Sequence, residues 1–142
     1  MSQEWLYWAL ASALFASLTA IFAKVGLQGM DSDFATFIRT IVIIIALVAF
    51  LTYSGKWQPL GSLTSKNWAF LILSGLATGA SWLAYFKALQ MGNASQVAPI
   101  DKFSIVLVTL FAVLFLGERP SGQDWVGIGL ITAGVLFLAI KR

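Results

Sequence analysis

The chain is predicted to be an all-α integral membrane protein with five transmembrane helices. Three observations predict it. Hydrophobic residues make up 59% of the 142 residues and charged residues only 11%, whereas soluble domains carry about 25% charge. The apolar residues fall into five runs, each close to the roughly 20 residues needed to cross a hydrocarbon core. Five of the six tryptophans flank those runs on what would be a single membrane face, where tryptophan prefers to sit.

Helix 1 is predicted over about 5–23, from Trp5 to Ala23, and a polar turn from Gly26 to Asp33 follows it. Helix 2 covers about 34–53, starting at Phe34. The longest connection, Ser54 to Asn67, is marked by Gly55, Pro59 and Gly61, residues that punctuate helices. Helix 3 runs over about 68–90, and Gly92-Asn93 makes the tight turn after it. Helix 4 covers about 95–116, with Pro99 in its first turns. Pro120 and Gly122 lie in the next connection, where Ser121-x-x-Asp124 reads as a capping signal for helix 5 at about 125–140. In a bilayer each backbone group must bond within its own segment, so runs this long and apolar are helices. They use nearly the whole chain, which is read as a single membrane domain over 1–142. The start, Met1-Ser2-Gln3-Glu4, lacks a positive n-region, so the first helix is expected to be retained rather than cleaved.

The residues excluded are as informative. Cysteine and histidine are both absent, which removes disulfides, thiol catalysis, His-based metal sites and imidazole proton relays. There is no Ser-His-Asp set, carboxylate dyad, P-loop or dinucleotide fingerprint. An enzyme is not expected, nor any cofactor or metal. The net charge of +3 is spread along the chain without a basic run, so no nucleic-acid partner is expected.

Five crossings put the termini on opposite sides of the membrane. Lys and Arg near the spans set orientation. The N-terminal side carries Lys56, Lys66 and Arg119; the other carries Lys24, Lys141 and Arg142. Counting the in-helix cations Arg39, Lys87 and Lys102 tilts the balance towards the second side. The strict tie permits insertion in both orientations; one orientation with a weak signal, or one imposed by a partner, is the alternative.

Ionisable groups within the spans are functional candidates, because each costs at least about 2.5 kcal/mol near the bilayer centre. Lys24 ends helix 1 and Arg39 begins helix 2, and either would reach the interface by snorkelling. Lys87 and Asp101 lie at similar depths on either side of the Gly92 turn, so an ion pair across that hairpin is one reading. A polar patch on a solute cavity, including Lys102, is the other. Asp101 and Lys102 are adjacent and about 100° apart on a helix, so they should not both face one neighbour. Pro99 disturbs the turn beside these charges, and irregular backbone in a membrane belongs within protein or along a water-filled cavity. Trp82, Tyr85 and Phe86 give helix 3 an aromatic face, suited to core packing or to a solute. Gly75-x-x-x-Gly79 in helix 3 and Gly127, Gly129 and Gly134 in helix 5 would allow close helix packing, either within the chain or, for helix 5, between subunits. Glu118 beside Arg119 reads as an interface ion pair.

Several fragments, in order, resemble a known family. They are Tyr85-Phe86-Lys87-Ala88-Leu89, Gly92-Asn93-Ala94-Ser95-Gln96-Val97-Ala98-Pro99, Phe115-Leu116-Gly117-Glu118, and Gly127-Ile128-Gly129-Leu130-Ile131 with Gly134-Val135. Together they look like the EamA domain of the drug/metabolite transporter superfamily. The Pro99-Ile100-Asp101-Lys102 stretch looks like its half-size, five-helix members. Full-size members have ten helices in two inverted repeats, so the resemblance implies that this chain is one half. It implies a multi-pass protein of the inner (plasma) membrane, working as an antiparallel homodimer or with a paralogous half. Helices 1–4 would line a cavity for a small polar organic metabolite moved by alternating access, with helix 5 at the periphery. The related small multidrug resistance proteins carry a Glu in the first helix. This chain has no acid between Trp5 and Ala23, which argues against proton-coupled export of cationic drugs. The excess of in-membrane cations favours an amino-acid-like or anionic solute. On this reading Arg39, Lys87, Asp101, Lys102, Trp82 and Tyr85 line the site, and Gly75, Gly79 and Pro99 let the helices pack and shift. A non-transporting membrane subunit that stabilises a larger partner is the competing reading.

Overall fold

Several helix ends in the computed structural model, which describes residues 4–140, have a local chemical cause. Met1, Ser2, Gln3, and the Lys141 and Arg142 of the charge tally, lie outside the described residues. Among those described, all regular structure is helical: α1 Glu4–Gly26, α2 Ser32–Ser54, α3 Ser65–Met91, α4 Ala94–Asp101, α5 Ser104–Leu116 and α6 Gly122–Ala139. Five spans are long and apolar enough to cross a membrane: α1, α2, α3, the stretch Ala94–Leu116 that contains α4 and α5, and α6.

The Asp31 carboxylate caps α2 by accepting from the backbone N–H groups of Asp33 (3.0 Å) and Phe34 (3.1 Å). That satisfies donors left without partners in the first turn. Gly55 ends α2 at φ 65°, and its N–H bonds the Leu51 carbonyl; this left-handed turn suits glycine. α3 starts at Ser65, three residues before the predicted Trp68, because Thr64 and Asn67 form a reciprocal cap. Asn67 Oδ1 accepts from the Thr64 N–H at 3.0 Å, and the Asn67 N–H donates to Thr64 Oγ1 at 3.1 Å. The predicted Ser121–Asp124 pair forms a full capping box and starts α6 at Gly122. Gly117 closes α5 at φ 68°, its N–H reaching the Ala112 carbonyl.

The fourth span departs from the continuous helix predicted over 95–116. It breaks at Lys102–Phe103, directly after Asp101. Around the break the backbone changes to tighter bonds three residues apart: Lys102 to Pro99 (3.0 Å), Phe103 to Ile100 (2.9 Å), Ile105 to Lys102 (3.0 Å) and Val106 to Phe103 (3.0 Å). Mid-helix stretches of this tighter geometry mark hinges or strained sequence. Pro99, inside α4, has already removed one donor a turn earlier.

The chain divides into two compact units, one of residues 21–91 and one of residues up to 20 and from 92 onward. In the first, α2 packs along α3; in the second, α4 and α5 pack on α6. Most large apolar side chains are exposed, including Trp8, Phe37, Ile45, Leu76 and Leu130. In water such a surface would aggregate; in a bilayer it is the lipid-facing and partner-facing surface.

The glycines expected to serve helix packing have open space beside them. A Cβ at Gly75, Gly79, Gly127, Gly129 or Gly134 meets nothing within 4 Å.

Candidate solute-binding site

Packing within residues 21–91 brings an arginine onto an aromatic ring. Arg39 is the eighth residue of α2, about 10 Å along the helix from its start. Its side chain does not run out to the helix end. It turns to α3, where the guanidinium carbon lies 3.9 Å from the centre of the Phe86 ring and 5.8 Å from that of Trp82. Phe86 is 1% exposed, and Tyr85 meets it edge-on at 5.4 Å and 70°. A ring face attracts a cation, by as much as about 2 kcal/mol when the pair is dry. It accepts no conventional hydrogen bond, however. Arg39 Nη1 is buried and has no hydrogen-bond partner among the described residues. Within α2 itself, Thr36 Oγ1 donates to the Ser32 carbonyl and Thr40 Oγ1 to the Thr36 carbonyl, both at 2.8 Å.

One turn beyond Phe86, α3 is tied to the chain between α1 and α2. Lys24 Nζ donates to the Leu89 carbonyl at 2.5 Å. Gln90 Nε2 donates to the Met30 carbonyl at 2.7 Å and, more weakly, to the Leu27 carbonyl at 3.4 Å. Leu89 and Leu27 are almost wholly buried beneath these bonds. Lys24 thus caps a helix terminus rather than snorkelling away from it.

The structure brings Arg39, Trp82 and Phe86 together, with Tyr85 against Phe86. Phe86, read in the sequence only as part of an aromatic face, is the residue that touches the guanidinium most closely. Lys87 follows it in sequence on the exposed side of α3. Asp101 Oδ2 pairs with Lys102 Nζ at 3.8 Å, both side chains well exposed. The two neighbours thus reach each other, which an unbroken helix disfavours and the break after Asp101 allows. In the same unit an open apolar groove of about 550 Å³ runs between the broken span and α6, lined by Pro99, Lys102, Ile105, Ile131 and Gly134. Glu118 and Arg119 lie on the exposed connection after α5. Among the described residues no cluster of His, Cys, Asp or Glu could hold a metal.

Five apolar helices long enough to cross a bilayer, one of them carrying an arginine stacked on an aromatic ring, define a multi-pass membrane protein. The chain belongs to the EamA-like transporter family, whose model matches residues 3–140, and with it to the inner membrane. It is 56% identical over 140 residues to an uncharacterized transporter in cobO 3'region of Sinorhizobium sp, with 99% of each chain covered. It is 25% identical over 138 residues to the uncharacterized transporter YxxF of Bacillus subtilis (strain 168), covering 96% of this chain but 43% of that one. Over 107 residues it is 28% identical to a probable 4-amino-4-deoxy-L-arabinose-phosphoundecaprenol flippase subunit, ArnE, of Yersinia pestis (strain Pestoides F), covering 68% of this chain and 94% of ArnE. No solved structure matches the chain.

Proposed function

We propose that the chain is one half of a transporter that moves a small polar organic metabolite, amino-acid-like or anionic, by alternating access. The observation that carries this reading is Arg39. A charge kept in a membrane span is expensive, and this one is held on Phe86 and Trp82 with Nη1 buried and lacking an acceptor. A carboxylate or phosphate oxygen of a solute would supply that acceptor, and charge-assisted bonds from arginine are the strong kind. Trp82 and Tyr85 form walls beside Arg39, and Lys87, Asp101 and Lys102 are further polar groups offered to the solute in the assembly. Gly75, Gly79 and Pro99, with Gly127, Gly129 and Gly134 on α6, serve helix packing and movement in the assembly.

The second half is a second copy inserted upside down. An odd number of spans and the even split of flanking cations support this. The chain also spans less than half of the Bacillus subtilis relative, as one repeat of a two-repeat protein would. Inverted repeats place their solute at the repeat interface near the midplane. ArnE is named as a subunit, which favours a related second reading: a paralogous half in place of the second copy.

The test compares extracts of cells carrying no protein, wild type or Arg39→Gln, each expressed to the same level. Mass spectrometry would read the distribution of polar solutes between cells and medium. A solute whose distribution changes with wild type and returns to baseline with Arg39→Gln supports the proposal. No shift in any solute, or an equal shift with Arg39→Gln, contradicts it.

A further inference from the structure

We propose that Lys24 and Gln90 form a gate over the Arg39 site at the end of the bundle where α2 begins. This rests on the reading of Arg39 as part of a solute site and concerns how that site is closed.

The starting point is an asymmetry within residues 21–91. Every buried side chain described there lies at one end: Ala23 and Leu27 near the close of α1, Ser32, Ala35 and Thr36 in the first turns of α2, and Phe86 and Leu89 in the last turns of α3. Between residues 37 and 85 none is buried. Towards the opposite end, Tyr53 is 94% exposed and Phe70 63%. Burial within this unit is therefore confined to one end, where a closure in one state of an alternating-access cycle could lie.

Polar bonds hold the shut end, and their chemistry suits a gate. The Leu89 carbonyl is among the last four of α3, which no intrahelical donor can reach. A cation is favoured at this helix end. Gln90 likewise reads Met30 and Leu27 carbonyls on the α1–α2 connection. All of these groups would be fully hydrated on opening, so the clasp exchanges protein bonds for water bonds with a small net difference. The clasp sits one turn outside Phe86, so its release would uncover Thr36, then Phe86 and Arg39.

The absence of native cysteine gives a direct test. Thr36→Cys places a thiol at a 5% exposed position under the clasp. Its reaction with a permanently charged methanethiosulfonate reagent would be followed in permeabilised membranes without solute, where both faces are accessible. Ala112→Cys, at another buried position in α5, is the control. With the clasp intact both should react slowly. Adding Lys24→Met and Gln90→Leu should speed the Thr36→Cys reaction about tenfold or more, the change expected from losing a charged hydrogen bond, and leave Ala112→Cys slow. Lys24→Arg, which still donates to a carbonyl, should keep Thr36→Cys protected. An unchanged rate at Thr36→Cys in the double variant overturns the gate, as does an equal rise at Ala112→Cys, which would mean general loosening. Labelling needs no transported solute. If Arg39→Gln left transport intact, the site reading would fail while the labelling result stood.

Discussion

The Arg39 guanidinium lies 3.9 Å from the centre of the Phe86 ring, on two helices that cross the membrane side by side. The sequence separates these residues by almost fifty positions, yet Phe86 in this contact is almost wholly buried. It anchors a charge at depth without neutralising it. The ring satisfies part of the electrostatic demand and none of the hydrogen bonding, which leaves the guanidinium chemically available to something the chain does not contain.

If that contact stabilises the α2–α3 pair, its two members are energetically coupled. Arg39→Gln, Phe86→Leu and the double variant form a thermodynamic cycle, read as thermal stability in detergent. Leucine keeps apolar bulk and removes the π face. The coupling should be about 0.5–2 kcal/mol. Strictly additive effects would show that the ring packs beside the arginine without attracting it.

The break in the fourth span makes a separate prediction, about dynamics. The amides of Lys102, Phe103, Ile105 and Val106 are held by bonds three residues apart, which have poorer geometry than α-helical ones. Hydrogen exchange there should run ahead of exchange in the interior of α5, around Leu107–Ala112. Uniform protection across Ala94–Leu116 would mean that the span behaves as one continuous helix.

Asp101 tests the polar lining. Among the described residues its carboxylate pairs with an exposed Lys102 at 3.8 Å, so Asp101→Asn should leave the amount of folded membrane protein unchanged. On the proposed function it should strongly weaken or abolish the solute shift seen with wild type. Collapse of expression would instead make Asp101 a structural residue.

The membrane spans were readable because apolar length in a bilayer leaves the backbone one option. The Ser121–Asp124 cap was readable for a similar reason: the residue types and their spacing are the mechanism. The break after Asp101 was not. Pro99 sits early enough in its helix to pass for an N-terminal residue, and nothing in Lys102-Phe103-Ser104 forbids a continued helix. The fate of the in-membrane cations was also hidden. Lys24 and Arg39 each stood at a helix end from which snorkelling was open, and a composition apolar all round gives no periodicity to say which side faces a neighbour. Only packing shows that Lys24 turns to the Leu89 carbonyl and Arg39 to Phe86. For the same reason Phe86 could not be ranked above Trp82 and Tyr85.

The central claim is that two oppositely inserted halves make the transporter, and membrane sidedness tests it most directly. Single cysteines would replace Ser62, in the α2–α3 connection, and Asn93, in the turn after α3, in separate variants of a chain that has no other thiol. The two positions lie on opposite faces of the membrane. Intact cells would be labelled with a membrane-impermeant thiol reagent and lysed cells used for total reactivity. The account predicts about half labelling at both positions, because half of the copies present each face outward. Full labelling at one and none at the other would establish a single orientation and contradict the antiparallel homodimer.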